Sequence, residues 1–212
     1  MLSPAYLRTV PLPQDLTNDD IFTALVETES FFTSIRKNAG TNLSEIIQAN
    51  NFSGVVSNVF TKKLGDASIY QPYHDQRYPD LMHKAVPIGL EVKASNKPMK
   101  GGEGHNGHSG WHIIVCYHIL PIGDIEFTHV EIAELNGFGH PNSDWKYCGS
   151  KRNKNDSQRT ETYMTNSIGT AKLRDGSVYL NPEYVNITPH LRHRRKKSSD
   201  LLPIPSFSPF AG

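Results

Sequence analysis

The feature that most constrains this chain is a change of hydrophobic period near residue 66. Before it, apolar residues recur at helical spacing. In "LTNDDIFTALVETESFFTSIRKNAG", Ile21, Leu25, Phe32 and Ile35 fall near one helical face. Thr17 stands at the N-cap position, Asp20 at the third helical position, and Gly40 supplies a stop. A second helical stretch, "NLSEIIQANNFSGVVSNVFTKKLG", is capped by Asn42 and ends near Gly65, with a break expected around Gly54. After it, "RYPDLMH", "VPIGLEVKAS", "GWHIIVCYHIL" and "DIEFTHVEIAEL" are rich in β-branched and aromatic residues. Gly, Pro, Asn and Asp separate these runs, which predicts a meander of strands. "GSVYLNPEYVNI" adds a late strand, while the polar segment 137–175 shows no assignable period. Helices followed by a strand-dominated centre predict a sheet with the early helices packed on it.

Within that frame, "YPDLMHKAVPIGLEVKAS" (78–95) is unusual, because an apolar strand carries Glu91 and Lys93. Residues i and i+2 of a strand share a face, so these two project together while Leu90 and Val92 turn away. If the preceding short strand pairs with this one, Asp80 comes beside Glu91. Two neighbouring carboxylates repel unless a cation lies between them. Mg²⁺ suits the place, since it takes oxygen ligands, keeps several waters and commonly uses one or two protein carboxylates plus a substrate phosphate. The Val92 carbonyl offers a further oxygen, and Lys93 offsets charge on a phosphate or helps hold an attacking water. The plain alternative is a surface hairpin whose charges face water. Burial of the strand argues against it, since buried charges require partners.

Pro79-Asp80, ten intervening residues, then Glu91-Val92-Lys93 resembles the PD-(D/E)XK nucleases, which include many type II restriction endonucleases. The resemblance covers about residues 40–135 and includes the order of the helices and strands. It implies an α/β fold with a restriction-endonuclease-like core, a central mixed β-sheet flanked by helices in the order αβββαβ. It also implies Mg²⁺-dependent phosphodiester hydrolysis, with one or two ions per site held by Asp80 and Glu91, beside the Val92 carbonyl noted above, and with Lys93 assisting the water. Some members add an acid from the helix before the first core strand. Glu45 is the candidate here, although it also stands where it would complete a capping box with Asn42.

The Glu-x-Lys strand runs into "NKPMKGGEGHNGHSGWH" (96–112), which has five glycines between Gly101 and Gly110, with His105, His108 and His112 three and four residues apart. A structural zinc site needs about four ligands, and neither cysteine is near these histidines. A glycine loop leaving the active-site strand approaches a phosphate backbone closely, so Lys97, Lys100, His105, Asn106 and His108 are expected to contact DNA. The segment "GSKRNKNDSQRTETYMTNSIGT" holds groups that donate to phosphates and base edges, with Arg152, Lys154 and Arg159 as candidates. "LRHRRKK" (191–197) is a further basic run that reads as phosphate-contacting or simply solvated.

The net charge of +1 does not by itself announce a polyanion partner, so any such partner must be met by local clusters. The 212 residues fit one nuclease domain, 1–197, with the Pro- and Ser-rich 198–212 as an extended arm that is disordered or laid against a neighbour. No apolar run approaches a membrane span, "MLSPAYLRTVPLPQDL" lacks the apolar region of a signal peptide, and Cys116 and Cys148 are expected to be reduced thiols. A cytoplasmic protein follows, in a bacterial or archaeal cell if the resemblance holds. The leading expectation is a homodimeric, sequence-specific endonuclease for double-stranded DNA, whose two-fold symmetry matches a palindromic site. The alternatives are a repair nuclease or junction resolvase of the same fold, and a DNA-binding module without catalysis.

Overall fold

A computed structural model describes residues 2–73, 78–99, 103–105, 107–149, 162–188, 192 and 202–211. After a 3-10 turn at Pro4–Tyr6, the chain forms α1 (Asn18–Ala39), α2 (Leu43–Ile46) and α3 (Ala49–Ala67). The strands β1 (Tyr70–Pro72), β2 (Leu81–His83), β3 (Gly89–Ser95), β4 (Glu103–His105), β5 (Gly110–Ile119), β6 (Ile125–Leu135), β7 (Trp145–Tyr147) and β8 (Thr162–Thr165) follow. The helix α4 (Ser167–Asp175) and the strand β9 (Ser177–Leu180) complete the order.

The helix starts follow local chemistry. Thr17 Oγ1 accepts from the Asp20 amide (3.1 Å) and Asp20 Oδ2 accepts from the Thr17 amide (2.9 Å), which makes the expected capping box. Gly40 closes α1 in the left-handed region at φ 63°. The second helical stretch breaks at Ile47 and Gln48, which have extended backbone, and not at Gly54, which lies inside α3. Asn42 gives α2 no side-chain cap. Its amide instead donates to the Glu45 carboxylate (2.8 Å).

The protein is α/β, with a six-stranded mixed sheet in the order β1-β2-β3-β5-β6-β9 and a three-stranded sheet in the order β4-β8-β7. The strands β1, β2 and β3 form an antiparallel meander, whereas β3 and β5 are parallel. The crossover between them carries β4, which belongs to the smaller sheet; among its described residues there is no helix. One face of the large sheet presents Leu90, Val92, Ile113, Val115, Val130 and Ile132 to α1 and α3, which bring Ile21, Leu25, Phe32, Phe52, Phe60 and Leu64 into the same core. Each such side chain, fully buried, contributes about 1.5–3 kcal/mol. On the other face Ile114, Cys116, Ala133 and Leu135 form a smaller cluster with Leu173 of α4 and Trp145 of β7.

Within the segment read as an extended arm, the described residues near its end pack on their own chain. Phe207 packs on the main core and its carbonyl accepts from Arg8 Nη2 (3.1 Å). Ser208 Oγ donates to Asp175 Oδ1 (2.8 Å), and Asp175 also pairs with buried Arg192. No helix among the described residues is long and apolar enough to cross a membrane.

Candidate active site

The register Leu81↔Leu90 and Met82↔Gly89 places the next pair, Asp80 and Glu91, opposite each other. Leu81 and Leu90 face the core, so the two carboxylates point to the other side. Asp80 Oδ2 accepts the Val92 amide N–H (2.7 Å). A residue in an extended strand directs its N–H and C=O to the same side, so the Val92 carbonyl is also turned toward Asp80. Lys93 shares the face of Glu91 and its ammonium donates to Glu91 Oε1. The other oxygen, Oε2, is buried and meets no hydrogen-bond donor of ordinary geometry among the described residues. Burial raises the Glu91 pKa, the Lys93 ammonium opposes the rise, and Asp80 adds to it by its charge and by a side-chain hydrogen bond. The side chain of Glu91 is only 13% exposed, against 32% for Lys93.

Parallel pairing with β5 sets His112 beside Glu91. Its Nδ1 lies 2.9 Å from the Gly110 carbonyl, which makes Nδ1 the protonated nitrogen. Burial draws the His112 pKa down to about 4, with the Lys93 and His108 charges acting in the same direction, so the ring is neutral at neutral pH. Tyr78, just before Pro79-Asp80, stacks on His108 with ring centroids 4.0 Å apart, and its hydroxyl donates to the Ser109 carbonyl. Burial and then the Glu91 charge push the Tyr78 phenol up to about 12. Trp145 closes the far side, 5.3 Å from the His112 ring, and its indole N–H donates to the His108 carbonyl (3.1 Å).

This packing accounts for two glycines of the crossover. Gly110 has φ +122°, and a Cβ there would stand 2.7 Å from the Tyr78 hydroxyl. Gly107 has φ +55°, and its Cβ position lies 3.2–3.3 Å from Phe138, Trp145 and Tyr163. At these two positions close ring packing, as well as turn geometry, requires glycine.

Of the expected site residues, the structure therefore brings together Asp80, Glu91, Val92 and Lys93. It does not bring Glu45 to them. Glu45 is exposed and bonded to Asn42, and α2 docks on the β5–β6 turn, where Ser44 Oγ donates to the Gly123 carbonyl (3.1 Å). That turn follows Ile119, the far end of β5 from His112, about 20 Å away at strand rise. Lys97 is exposed just past β3, and His108 is half-buried in its stack on Tyr78. Lys100, Asn106, Arg152, Lys154, Arg159 and the side chain of His105 lie outside the described residues. Sequence reasoning missed Tyr78, His112 and Trp145 as site neighbours. Only the parallel β3–β5 register reveals His112, whereas Tyr78 was signalled by its place before Pro79.

The donor set suits a hard divalent cation. It comprises two adjacent carboxylates, one with a buried oxygen that meets no donor of ordinary geometry among the described residues, and a strand carbonyl turned toward them. Among the described residues no cluster of three or more His, Cys, Asp or Glu side chains could hold a metal by itself, so solvent or substrate oxygens would have to complete the sphere. Comparison of the chain with protein-family models, with curated proteins and with solved structures gave no match.

Proposed function

We propose that this protein is a Mg²⁺-dependent phosphodiester hydrolase acting on DNA, of the PD-(D/E)XK type. The observation that carries the reading is the pair Asp80 and Glu91, set opposite each other by strand register with Lys93 on the same face. Asp80, Glu91 and the Val92 carbonyl are the groups that would hold Mg²⁺, which when bound supplies charge to polarise a phosphate and to acidify water. The remaining work belongs to side chains. Lys93 orients the attacking water and offsets charge on the phosphate as the water oxygen bonds to phosphorus and the ester oxygen leaves. Neutral His112, wedged between Glu91 and Trp145, keeps the Glu91 side of the site dry and fixed. In finer terms the enzyme is a type II restriction endonuclease, homodimeric and sequence-specific for duplex DNA.

The test incubates plasmid and genomic DNA with the protein, with and without Mg²⁺. Discrete fragments that require Mg²⁺ support restriction, whereas cutting confined to mismatched or branched DNA supports the repair and resolvase alternative. Asp80→Asn and Glu91→Gln each remove one Mg²⁺-binding carboxylate, and each should abolish cutting while DNA is still retained. Either variant cutting at the wild-type rate refutes the assignment. DNA left intact under all conditions but retained without Mg²⁺ shows a binding module instead.

A further inference from the structure

We infer that the small sheet beside the site is a stacking surface for unpaired DNA bases. The inference deepens the hydrolase reading and rests on it for the identity of the polymer. Phe138 and Tyr147 are large apolar rings left 52% and 47% exposed. Both lean on Tyr163, at centroid distances of 4.7 and 5.3 Å, so three rings form one partly exposed patch. The patch is linked to the carboxylate site through the backbone at 107–108. The backbone at Gly107 is packed among Phe138, Trp145 and Tyr163, and the next residue, His108, stacks on Tyr78.

The rings are held, not loose. The Phe138 amide donates to the Gly107 carbonyl (2.7 Å) and the Gly137 amide to Ser109 Oγ (2.8 Å). Tyr147 and Tyr163 are paired in register across β7 and β8. A pre-organised aromatic patch beside a phosphate-directed site fits bases, because every base has a π-face and stacking tolerates any sequence. Charge points the same way. Exposed Lys146 adjoins Tyr147, and the sequence joining β7 to β8 carries Lys151, Arg152, Lys154 and Arg159 against Asp156 and Glu161. An intact duplex hides its base faces, so the surface takes bases that become unpaired where the bound duplex opens beside the site.

The test uses the full chain with Asp80→Asn to block turnover, in EDTA at low salt. The probes are fluorescein-labelled oligothymidylate of about 15 nucleotides and a duplex of the same length, a span suited to one such surface. Phe138→Ala and Tyr147→Ala should each weaken single-strand binding on the order of ten-fold while duplex binding changes less than about two-fold. Phe138→Tyr and Tyr147→Phe keep a ring and should bind like the parent, which separates stacking from misfolding. The inference is overturned if the parent does not hold the single strand, if the alanine variants hold it as tightly, or if single strand and duplex weaken equally. Cleavage by the chain with Asp80 intact is read separately. Ring-dependent single-strand binding without any cutting would leave the stacking surface standing and refute the hydrolase. Mg²⁺-dependent cutting without ring-dependent binding would do the reverse.

Discussion

Glu29 gives a pH dependence whose sign and size can be worked out. It lies on α1, accepts the Phe127 amide N–H (2.7 Å) and lines a cavity of about 500 Å³ with Leu2, Val26 and Thr33. Burial pushes its carboxyl up from 4.5 to about 7. The folded state then holds this proton more tightly than the unfolded chain. Its contribution to stability is fully present below about pH 4.5 and is lost as the pH rises through about 7. At 1.36 kcal/mol per pH unit the full loss is about 3 kcal/mol, and screening through the open cavity brings it to about 2. Glu29→Gln keeps an acceptor for Phe127 and removes the ionisation. Urea denaturation should find the variant equal to the parent near pH 4.5 and about 2 kcal/mol more stable near pH 8. An equal difference at both pH values would show that charge burial at Glu29 is not what the fold resists.

Three further outcomes follow from other contacts. If Asp80 and Glu91 hold Mg²⁺ with a dissociation constant of about 1 mM, about 10 mM Mg²⁺ stabilises the parent by about 1.4 kcal/mol, or roughly 3–5 °C in a thermal melt; Asp80→Asn and Glu91→Gln should each remove that shift. A Cβ at Gly176 would stand 1.8 Å from the Ile132 carbonyl oxygen, so Gly176→Ala should cost about 3 kcal/mol or more in urea denaturation by forcing α4 from β6. Asp175 is buried with Arg192 and also receives Ser208, so Asp175→Ala should cost about 3–5 kcal/mol and open residues 202–211 to limited proteolysis.

How much could be read from the sequence differed by element, for physical reasons. The helix α1 was legible because its ends are set locally, by Thr17, Asp20 and Gly40. The face alternation of β3 was legible too, since it follows from strand geometry alone. The break in the second helical stretch was misplaced at Gly54, where nothing lies within 4 Å of the Cβ position and the helix tolerates glycine. The helix α4 was not foreseen in the polar 137–175. Gly169, Thr170 and Lys172 give it little apolar period, although Asn166 caps it by accepting from Ile168 and Gly169. The parallel β3–β5 pairing was beyond local reading altogether. The runs suggest a meander, and only tertiary structure lifts the crossover out of the large sheet and brings His112 to Glu91. Glu45 was drawn toward the site by helix order, whereas the docking of α2 on Gly123 is a long-range contact that no local pattern encodes.

The charges inside an apolar strand now have a cause. The strand β3 is interior to the sheet, with β2 and β5 on its two sides, so a solvated hairpin is the wrong picture. Its Leu90 and Val92 face is sealed by the α1 and α3 layer. On its other face, the covering helix α4 packs on β6 and β8. Glu91 and Lys93 therefore lie on the face away from the α1 and α3 layer, with Lys93 32% exposed. A merely solvated carboxylate would be exposed and bonded to water. Glu91 is instead almost enclosed, is pressed by Asp80, and has one oxygen without a donor of ordinary geometry among the described residues. A buried, partnerless carboxylate oxygen costs stability. Lys93 does not relieve that cost, because it engages Oε1 alone. Asp80 bears on this carboxylate from the side to which the Val92 amide is turned.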